Sequence, residues 1–584
     1  MSIKVTETPA MTHRFAREED GSLTAFALLL FICMVIIGGI SIDIMVFENN
    51  RTRLQNLSDR AALAAADLDQ DLPAQQIVAS YFEKEGMDAY LKDVRVTQGV
   101  NNRTVHIETE KVQRTMFLNF WNHTGIDTLT PRSTSVATEA RTDLEISLVL
   151  DVSNSMNWAS TAVGSTSKLA DMKSAATRFV DKVYTSGDPD RITMNLVPYS
   201  THVNAGPEIM DELGVSQNHD YSHCLAFENA DFDETVIRAD DAYGHTMHFD
   251  QWYSNQTPQL YVCRAEDDQI VKPVMSDPDA IKGAINDLVA DGNTSIEIGL
   301  KWGAAFLDPS ARRITTRLAD IGEVEDAHRD RPYNWNRGNT EKFIVVLTDG
   351  VNTTQQEINP DYASGPSGMW RWTPAPLLPV HFYSWDSPED GDEDGDGIHN
   401  ERYWTRGFTI PRSVTGLSSN VTIARGWTND PIGLDLSQLE VTNGNAWQRA
   451  ALKRALVNAL SPTNQPPVEL DYASLWNEMA VRHFASSWVR TRHNSSRPMN
   501  QFYRDVWRAV EGPTKDTRLL TLCNELRDQG ATIFTIGFEV TNHSAGIMGQ
   551  CASTPNYFIR VVGDNLEAAF DQIANTISKL RLTQ

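Results

Sequence analysis

The sequence predicts an α/β protein: a doubly wound, mostly parallel sheet with two long insertions, preceded by one transmembrane helix and a small α+β module. Three observations lead there. Residues 145–156 read EISLVLDVSNSM, a strand that is apolar on both faces, as in a parallel sheet covered by helices on each side. From 145 onward such strands alternate with helical stretches: KLADMKSAATRFVDKVY, RITMNLVPYS, KFIVVLTDG, LLTLCNELRDQG, ATIFTIGFEV and LEAAFDQIANTISKLRL. Near the start, Leu23–Ile42 is a run of twenty uncharged residues. As a helix it spans ~30 Å, the thickness of a bilayer core.

The elements follow in order. Residues 1–20 read as a cytoplasmic tail and 21–47 as the transmembrane helix. A secretory signal would have a shorter apolar core followed by a small-residue cleavage site, whereas this run passes into more helix. Residues 48–73 form a helical stalk on which Leu54, Leu57, Ala61, Ala64 and Ala65 make one stripe. Its small residues suit close packing on another helix, or equally on the stalk's own domain. Residues 74–142 carry a helix, a hairpin turning at GVNNRT and a further strand in STSVATEA. Residues 143–584 hold the sheet, interrupted at about 201–279 and 351–504 by segments rich in Trp, Tyr, Pro, Asn and Asp. Neither segment is low in complexity, so both read as ordered insertions.

The net charge of −26 argues against nucleic acid as a partner, because phosphate binding needs basic surface. Basic residues flank the apolar run almost evenly, with Lys4, Arg14 and Arg17 before it and Arg51, Arg53 and Arg60 after. Orientation is set instead by the cysteines. Cys33 lies in the run, and the other four belong in an oxidising space if they pair, which places the bulk of the chain outside the cytoplasm.

The first strand ends on Asp151, Ser153 and Ser155, three short oxygen side chains two residues apart. A turn would account for them. So would Mg²⁺, which takes oxygen ligands in a tight octahedron. Ligands of such sheets bind at the carboxyl ends of the strands. KFIVVLTDG ends there too, on Thr348 and Asp349, and Thr294 opens a helix after the loop of DGNTSIEIGLKWG.

These residues resemble the metal-ion-dependent adhesion site of von Willebrand factor A domains, whose pattern is D-x-S-x-S, a distant Thr and a distant Asp. The likeness gives Asp151, Ser153, Ser155, Thr294 and Asp349 as metal ligands. The amino-terminal stretch EEDGSLTAFALLLF…GGISIDIMVFENNRTRLQNLSDRAALAAA resembles TadG-type proteins of the Flp (tight adherence) pilus system, as does the carboxyl end. Phe26 stands where related pseudopilins carry Glu, which speaks against processing by a prepilin peptidase. The resemblance implies a single-pass protein of the bacterial inner membrane with a periplasmic bulk, acting in pilus assembly as a metal-dependent binding or anchoring component. It implies a divalent cation, Mg²⁺ before Mn²⁺ or Ca²⁺, and a protein partner that offers a Glu or Asp carboxylate. The rival reading is an adhesin or envelope-stress protein unrelated to pili. A metal-dependent hydrolase is the weakest reading: the sequence has no G-x-S-x-G, H-E-x-x-H or phosphate loop and nominates no general base, so an enzyme is not expected.

Two further clusters carry expectations. DEDGDGIHNERY sets Asp392, Asp394, Asp396 and Asn400 at calcium-loop spacing, with Gly397 at the turn, similar to thrombospondin type 3 or dockerin-like loops, and a frame shifted to Asp390 puts Glu401 at the twelfth place but disturbs the middle. Ca²⁺ in the second insertion is the reading, and a solvated acidic loop the plain alternative. His219, His223, His245 and His248 lie near Cys224 and Cys263. Zinc is conceivable there, but a disulfide with ordinary surface histidines is expected. Four cysteines allow three pairings. The sequence-nearest one joins Cys224 to Cys263 and Cys523 to Cys551.

Overall fold

The computed structural model describes residues 22–67, 70, 72–98, 102–119, 126–140, 142–185, 189–239, 243–373, 381–386, 403–415, 417, 419–429, 431, 436–460 and 466–583. The chain divides into two compact units, Met1–Thr142 and Asp143–Gln584.

In the first unit the span and the stalk are one helix, α1 (Ser22–Ala66), which no proline interrupts. It is long and apolar enough to cross a membrane, and almost none of its apolar stretch is covered by protein. Beyond that stretch Leu57, Ala61 and Ala65 are buried with Ile77, Val78 and Phe82 of α2 (Ala74–Lys84) and with Val105 and Ile107. The alanine stripe therefore packs on its own unit, where the missing side-chain bulk lets the helix lie close to the sheet. That sheet is antiparallel, with β1 (Leu91–Gln98) and β5 (Arg132–Ala140) flanking β2 (Asn102–Glu110). A short ladder pairs β3 (Gln113–Arg114) with β4 (Thr128–Leu129).

The second unit is built on six strands: β6 (Asp143–Asp151), β7 (Ile192–Tyr199), β8 (Lys272–Met275), β9 (Thr340–Thr348), β10 (Thr532–Phe538) and β11 (Phe558–Val561). Their order is β8-β7-β6-β9-β10-β11. All neighbours are parallel except β8, which runs antiparallel along β7 at the edge. Side chains alternate between two cores. Ile146, Leu148 and Leu150 pack with α3 (Lys168–Thr185), α4 (Pro278–Asp287) and α8 (Leu566–Thr583), while Val149, Val197 and Val346 pack with α5 (Ile296–Ala305), α6 (Gly512–Asp528) and α7 (Asn542–Cys551). Helices thus cover both faces, which is why every residue of β6 and β7 is buried.

One boundary differs from the sequence reading. The segment 201–279 contains β8, hidden there because it is short and begins Lys272–Pro273; as an edge strand it can accommodate a proline. Within 351–504 the described residues build a separate five-stranded antiparallel sheet, in which Pro366–Trp372 and Phe382–Trp385 are adjacent.

Both expected disulfides are formed, Cys224–Cys263 and Cys523–Cys551. The second joins α6 to the end of α7. It closes a separation of 28 residues, for which the chain-entropy model gives about 3.5 kcal/mol. Replacing both partners by Ser should lower the free energy of urea unfolding by about that amount. An unchanged midpoint would mean that the bridge does not constrain the unfolded chain.

Candidate metal centre

β6 and β9 lie side by side, yet the chain leaves β6 toward β7 on its other flank. The strand order reverses at that point, and the crevice outside the strand ends is where such sheets receive ligands. Asp151 is the last residue of β6 and Thr348 the last of β9. The helix α5 supplies the third side. Cβ atoms added at Gly299 and Gly303 would fall 2.5 Å from Tyr199 and Val149 side-chain atoms, so only glycine lets α5 lie this close to β7 and β6. Ser295 is the N-cap of α5, and Thr294 sits just before the helix rather than in its first turn.

Four of the five expected ligands form a hydrogen-bonded chain. Asp151 Oδ1 accepts the Ser153 backbone N–H at 2.8 Å, and Oδ2 accepts the Thr348 hydroxyl at 2.8 Å. The Ser153 and Ser155 hydroxyls are 3.2 Å apart, and Ser155 Oγ donates to Asp349 Oδ1 at 2.6 Å. Asp151, Ser153 and Asp349 are buried. Thr294 is also buried, with its Oγ1 3.8 Å from the Cβ position of Gly350, next to Asp349. Its hydroxyl forms no hydrogen bond among the described residues, whereas its backbone is held on both sides. Thr294 N–H donates to Thr353 Oγ1 at 3.0 Å, and the Thr294 carbonyl accepts from Lys515 Nζ at 3.0 Å.

The electrostatics suit a cation. Burial and the nearby Asp349 charge push the Asp151 carboxyl up to about 7. A divalent ion would remove that repulsion, so two carboxylates and three hydroxyls fit a hard cation as its oxygen donors. The set holds too few carboxylates to make a group of three or more His, Cys, Asp or Glu, and no such group occurs among the described residues.

Sequence reasoning missed two lysines. Lys168, at the start of α3, donates to Asp349 Oδ2 at 3.0 Å and lies 3.9 Å from Glu539. It occupies one oxygen of Asp349 and leaves the other facing Ser155. Lys515, fully buried on α6, also bonds the Ser295 hydroxyl at 2.6 Å and the Thr353 carbonyl at 2.9 Å. It ties the loop before α5 to the loop after β9. Both contacts join residues more than 150 positions apart, so no local pattern could have revealed them.

The other expected sites fall out differently. Asp390, Asp392, Asp394, Asp396, Asn400 and Glu401 lie outside the described residues. Cys224 and Cys263 are bridged and so offer zinc no thiolate. His219, His245 and His248 are not surface residues but buried ones. The rings of His219 and His245 lie 4.1 Å apart, and His248 stacks on Tyr261 at 3.6 Å. The Ser222 carbonyl lies 2.8 Å from His245 Nε2, and the Ser222 hydroxyl 2.9 Å from His248 Nδ1. Apolar packing beside the disulfide overrides the polarity that suggested a surface.

Residues 21–68 match the family model described as putative Flp pilus-assembly TadE/G-like. No curated protein matches the chain. Among solved structures, the chain is similar to the pilus adhesin SpaC of Lactobacillus rhamnosus GG at 11% identity and a TM-score of 0.28, covering 84% of this chain and 34% of that one. It thus spans about a third of the length of SpaC. It is also similar to the vWF domain of the type V pili tip protein Mfa5 from Porphyromonas gingivalis, at 14% identity and a TM-score of 0.29, covering 76% of this chain and 97% of that one. The PilB minor pilin from Streptococcus sanguinis gives 13% identity, a TM-score of 0.27, and coverage of 84% and 78%.

Proposed function

We propose that this protein, whose amino-terminal segment is TadE/G-like, is a membrane-anchored, metal-dependent binding component of Flp pilus assembly. In this reading α1 crosses the inner membrane, the bulk of the chain is periplasmic, and the sheet of the second unit is a von Willebrand factor A-type domain. The observation that carries the metal reading is the chain from Asp151 through Ser153 and Ser155 to Asp349, with the Thr294 hydroxyl beside it, unpartnered among the described residues. Asp151, Ser153, Ser155 and Thr294 would hold a divalent cation, with Asp349 reaching it directly or through water.

The cation would supply a positive centre with a coordination position left for a partner. Hydroxyl ligands neutralise less of its charge than carboxylates do, so that position favours an acidic oxygen. A Glu or Asp of another pilus or envelope protein is the expected occupant. The role in this reading is binding rather than catalysis, with Lys168 engaging the second oxygen of Asp349.

Crosslinking in envelopes that express the full-length protein tests this. Capture of pilus-assembly components should be strong with Mg²⁺, lost with EDTA, lost in Thr294→Ala and weakened in Asp349→Asn. Capture of the same components at equal strength in EDTA would refute metal dependence. Metal-dependent capture of surface proteins unrelated to the pilus would favour the adhesin reading.

A further inference from the structure

We propose that the β3–β4 hairpin is a second membrane contact, seating Met116 and Phe117 in the outer boundary of the bilayer beside α1. The inference rests on reading residues 21–47 as a transmembrane span, and goes beyond it by giving a partner, the lipid surface, to a segment of the folded unit.

The hairpin descends along the helix. At its upper end Asn50 Nδ2 donates to Gln113 Oε1 at 2.6 Å, and Lys111 Nζ donates to Asn50 Oδ1 at 2.9 Å. Lower down, the Asp43 carboxylate accepts the backbone N–H groups of Met116, Phe117 and Leu118 at 3.0, 2.7 and 2.8 Å. Lower still, a Cβ added at Gly39 would fall 2.6 Å from the Phe117 ring, so the absent side chain is the notch that the ring enters. Asn50 to Gly39 is a descent of ~16 Å at the α-helical rise.

That descent reaches the membrane. The uncharged run Leu23–Ile42 is centred near residues 32–33. A half-thickness of ~15 Å covers about ten residues from that centre, which puts the boundary close to Ile42. Gly39 is then ~5 Å inside, the depth at which interfacial apolar groups sit. The hairpin's outward side chains match this depth. Met116, Phe117 and Ile126 are 74%, 37% and 43% exposed, three large apolar side chains toward the lower end of the hairpin. Singly they would be ordinary surface residues. Backbone entering lipid needs its polar groups satisfied, and Asp43 satisfies three N–H groups, those of Met116, Phe117 and Leu118. Asp43 is itself almost fully covered, so its charge is spent on those donors rather than presented to lipid.

The test uses full-length protein in phospholipid nanodiscs with the native disulfides intact. Nitroxide labels are placed on native Cys33, on Met116→Cys in a Cys33→Ser background, and on Val163→Cys in the same background. Val163 is 93% exposed in the second unit and serves as the water-facing reference. Collision with oxygen reports lipid, and collision with a soluble nickel chelate reports water. The Met116→Cys label should lose most of the nickel accessibility seen at Val163→Cys and gain oxygen accessibility. Adding Asp43→Ala should shift it back toward water. A Met116→Cys label as nickel-accessible as Val163→Cys, with the Cys33 label lipid-exposed, would overturn the hairpin contact and leave the span standing. A Met116→Cys label shielded from both reagents would mean a protein neighbour covers the hairpin, and would overturn it too. A nickel-accessible Cys33 label would overturn both the span and the contact built on it.

Discussion

Mg²⁺ at a thousand times its dissociation constant is expected to stabilise the folded protein by about 4 kcal/mol. The gain should vanish in Asp151→Asn. Asp151 and Asp349 meet in a buried crevice, and their mutual repulsion, added to burial, raises Asp151 to about 7. A divalent ion turns that repulsion into two attractions, and binding to the folded state alone shifts the unfolding equilibrium by mass action. Asn has the size of Asp, and its carbonyl oxygen can keep the bond from the Ser153 backbone N–H. The variant should therefore fold, melt near the metal-free wild type, and ignore Mg²⁺. Thr294→Ala should remove most of the gain while leaving the fold intact, because the Thr294 backbone stays anchored by Thr353 and Lys515. Differential scanning calorimetry with EDTA and with Mg²⁺ measures all three proteins. Identical wild-type transitions in the two conditions would leave the centre a hydrogen-bonded turn and nothing more.

How much of the fold and the centre is legible in the sequence depends on the range of the interaction. The run from Ile146 to Leu150 is buried on both faces by two helical layers, and its apolar residues Ile146, Leu148, Val149 and Leu150 make that pattern local. Asp151, Ser153 and Ser155 follow it directly, so their side of the centre is written in a single short stretch of chain. The continuation of the helix through Ala66 is equally plain. Its alanine stripe leaves two partners open, and the contact with Phe82 and Ile107 that decides between them is tertiary. The edge strand is hidden because four residues beginning Lys272–Pro273 carry no strand periodicity. Their strand character comes from pairing with Leu196 and Met194. The histidines are misplaced by a reading that equates polarity with exposure. His219, His245 and His248 satisfy their ring nitrogens on nearby backbone and on Ser222 and stack among themselves and Tyr261, and this makes their burial tolerable.

Those histidines should also make the fold acid-sensitive. Burial holds His202 and His219 down to about 3 and His248 to about 4, and it lowers His245 as well. Neighbouring charge adds to this. Lys515 faces His202, while His219 is met by His245, His248 and His223; Glu266 opposes the shift only at His248 among these three. A histidine whose folded pKa lies below its unfolded value of ~6.5 stabilises the fold above that pH, because the folded form holds no proton there and the unfolded form gains nothing by taking one. As the pH falls below ~6.5 the unfolded chain takes up protons that the folded protein refuses, and stability is lost until the folded pKa is reached. Between pH 7 and pH 5 each such group costs about 2 kcal/mol, so His202, His219 and His248 together cost about 6 kcal/mol. The sum depends on the unfolded values alone, provided the folded ones lie well below 5. Set against typical total stabilities of about 5–15 kcal/mol, it is a large fraction. Urea unfolding at the two pH values, in an Asp151→Asn background, measures it. That substitution removes a carboxyl that titrates in the same window with the opposite sign, since a raised folded pKa makes the fold gain stability as the pH falls. His219→Gln and His248→Gln should each flatten the dependence by about a third of the total. Equal stability at pH 7 and pH 5 would show that these imidazoles protonate as readily folded as unfolded, and that the pocket beside Cys224–Cys263 opens to water.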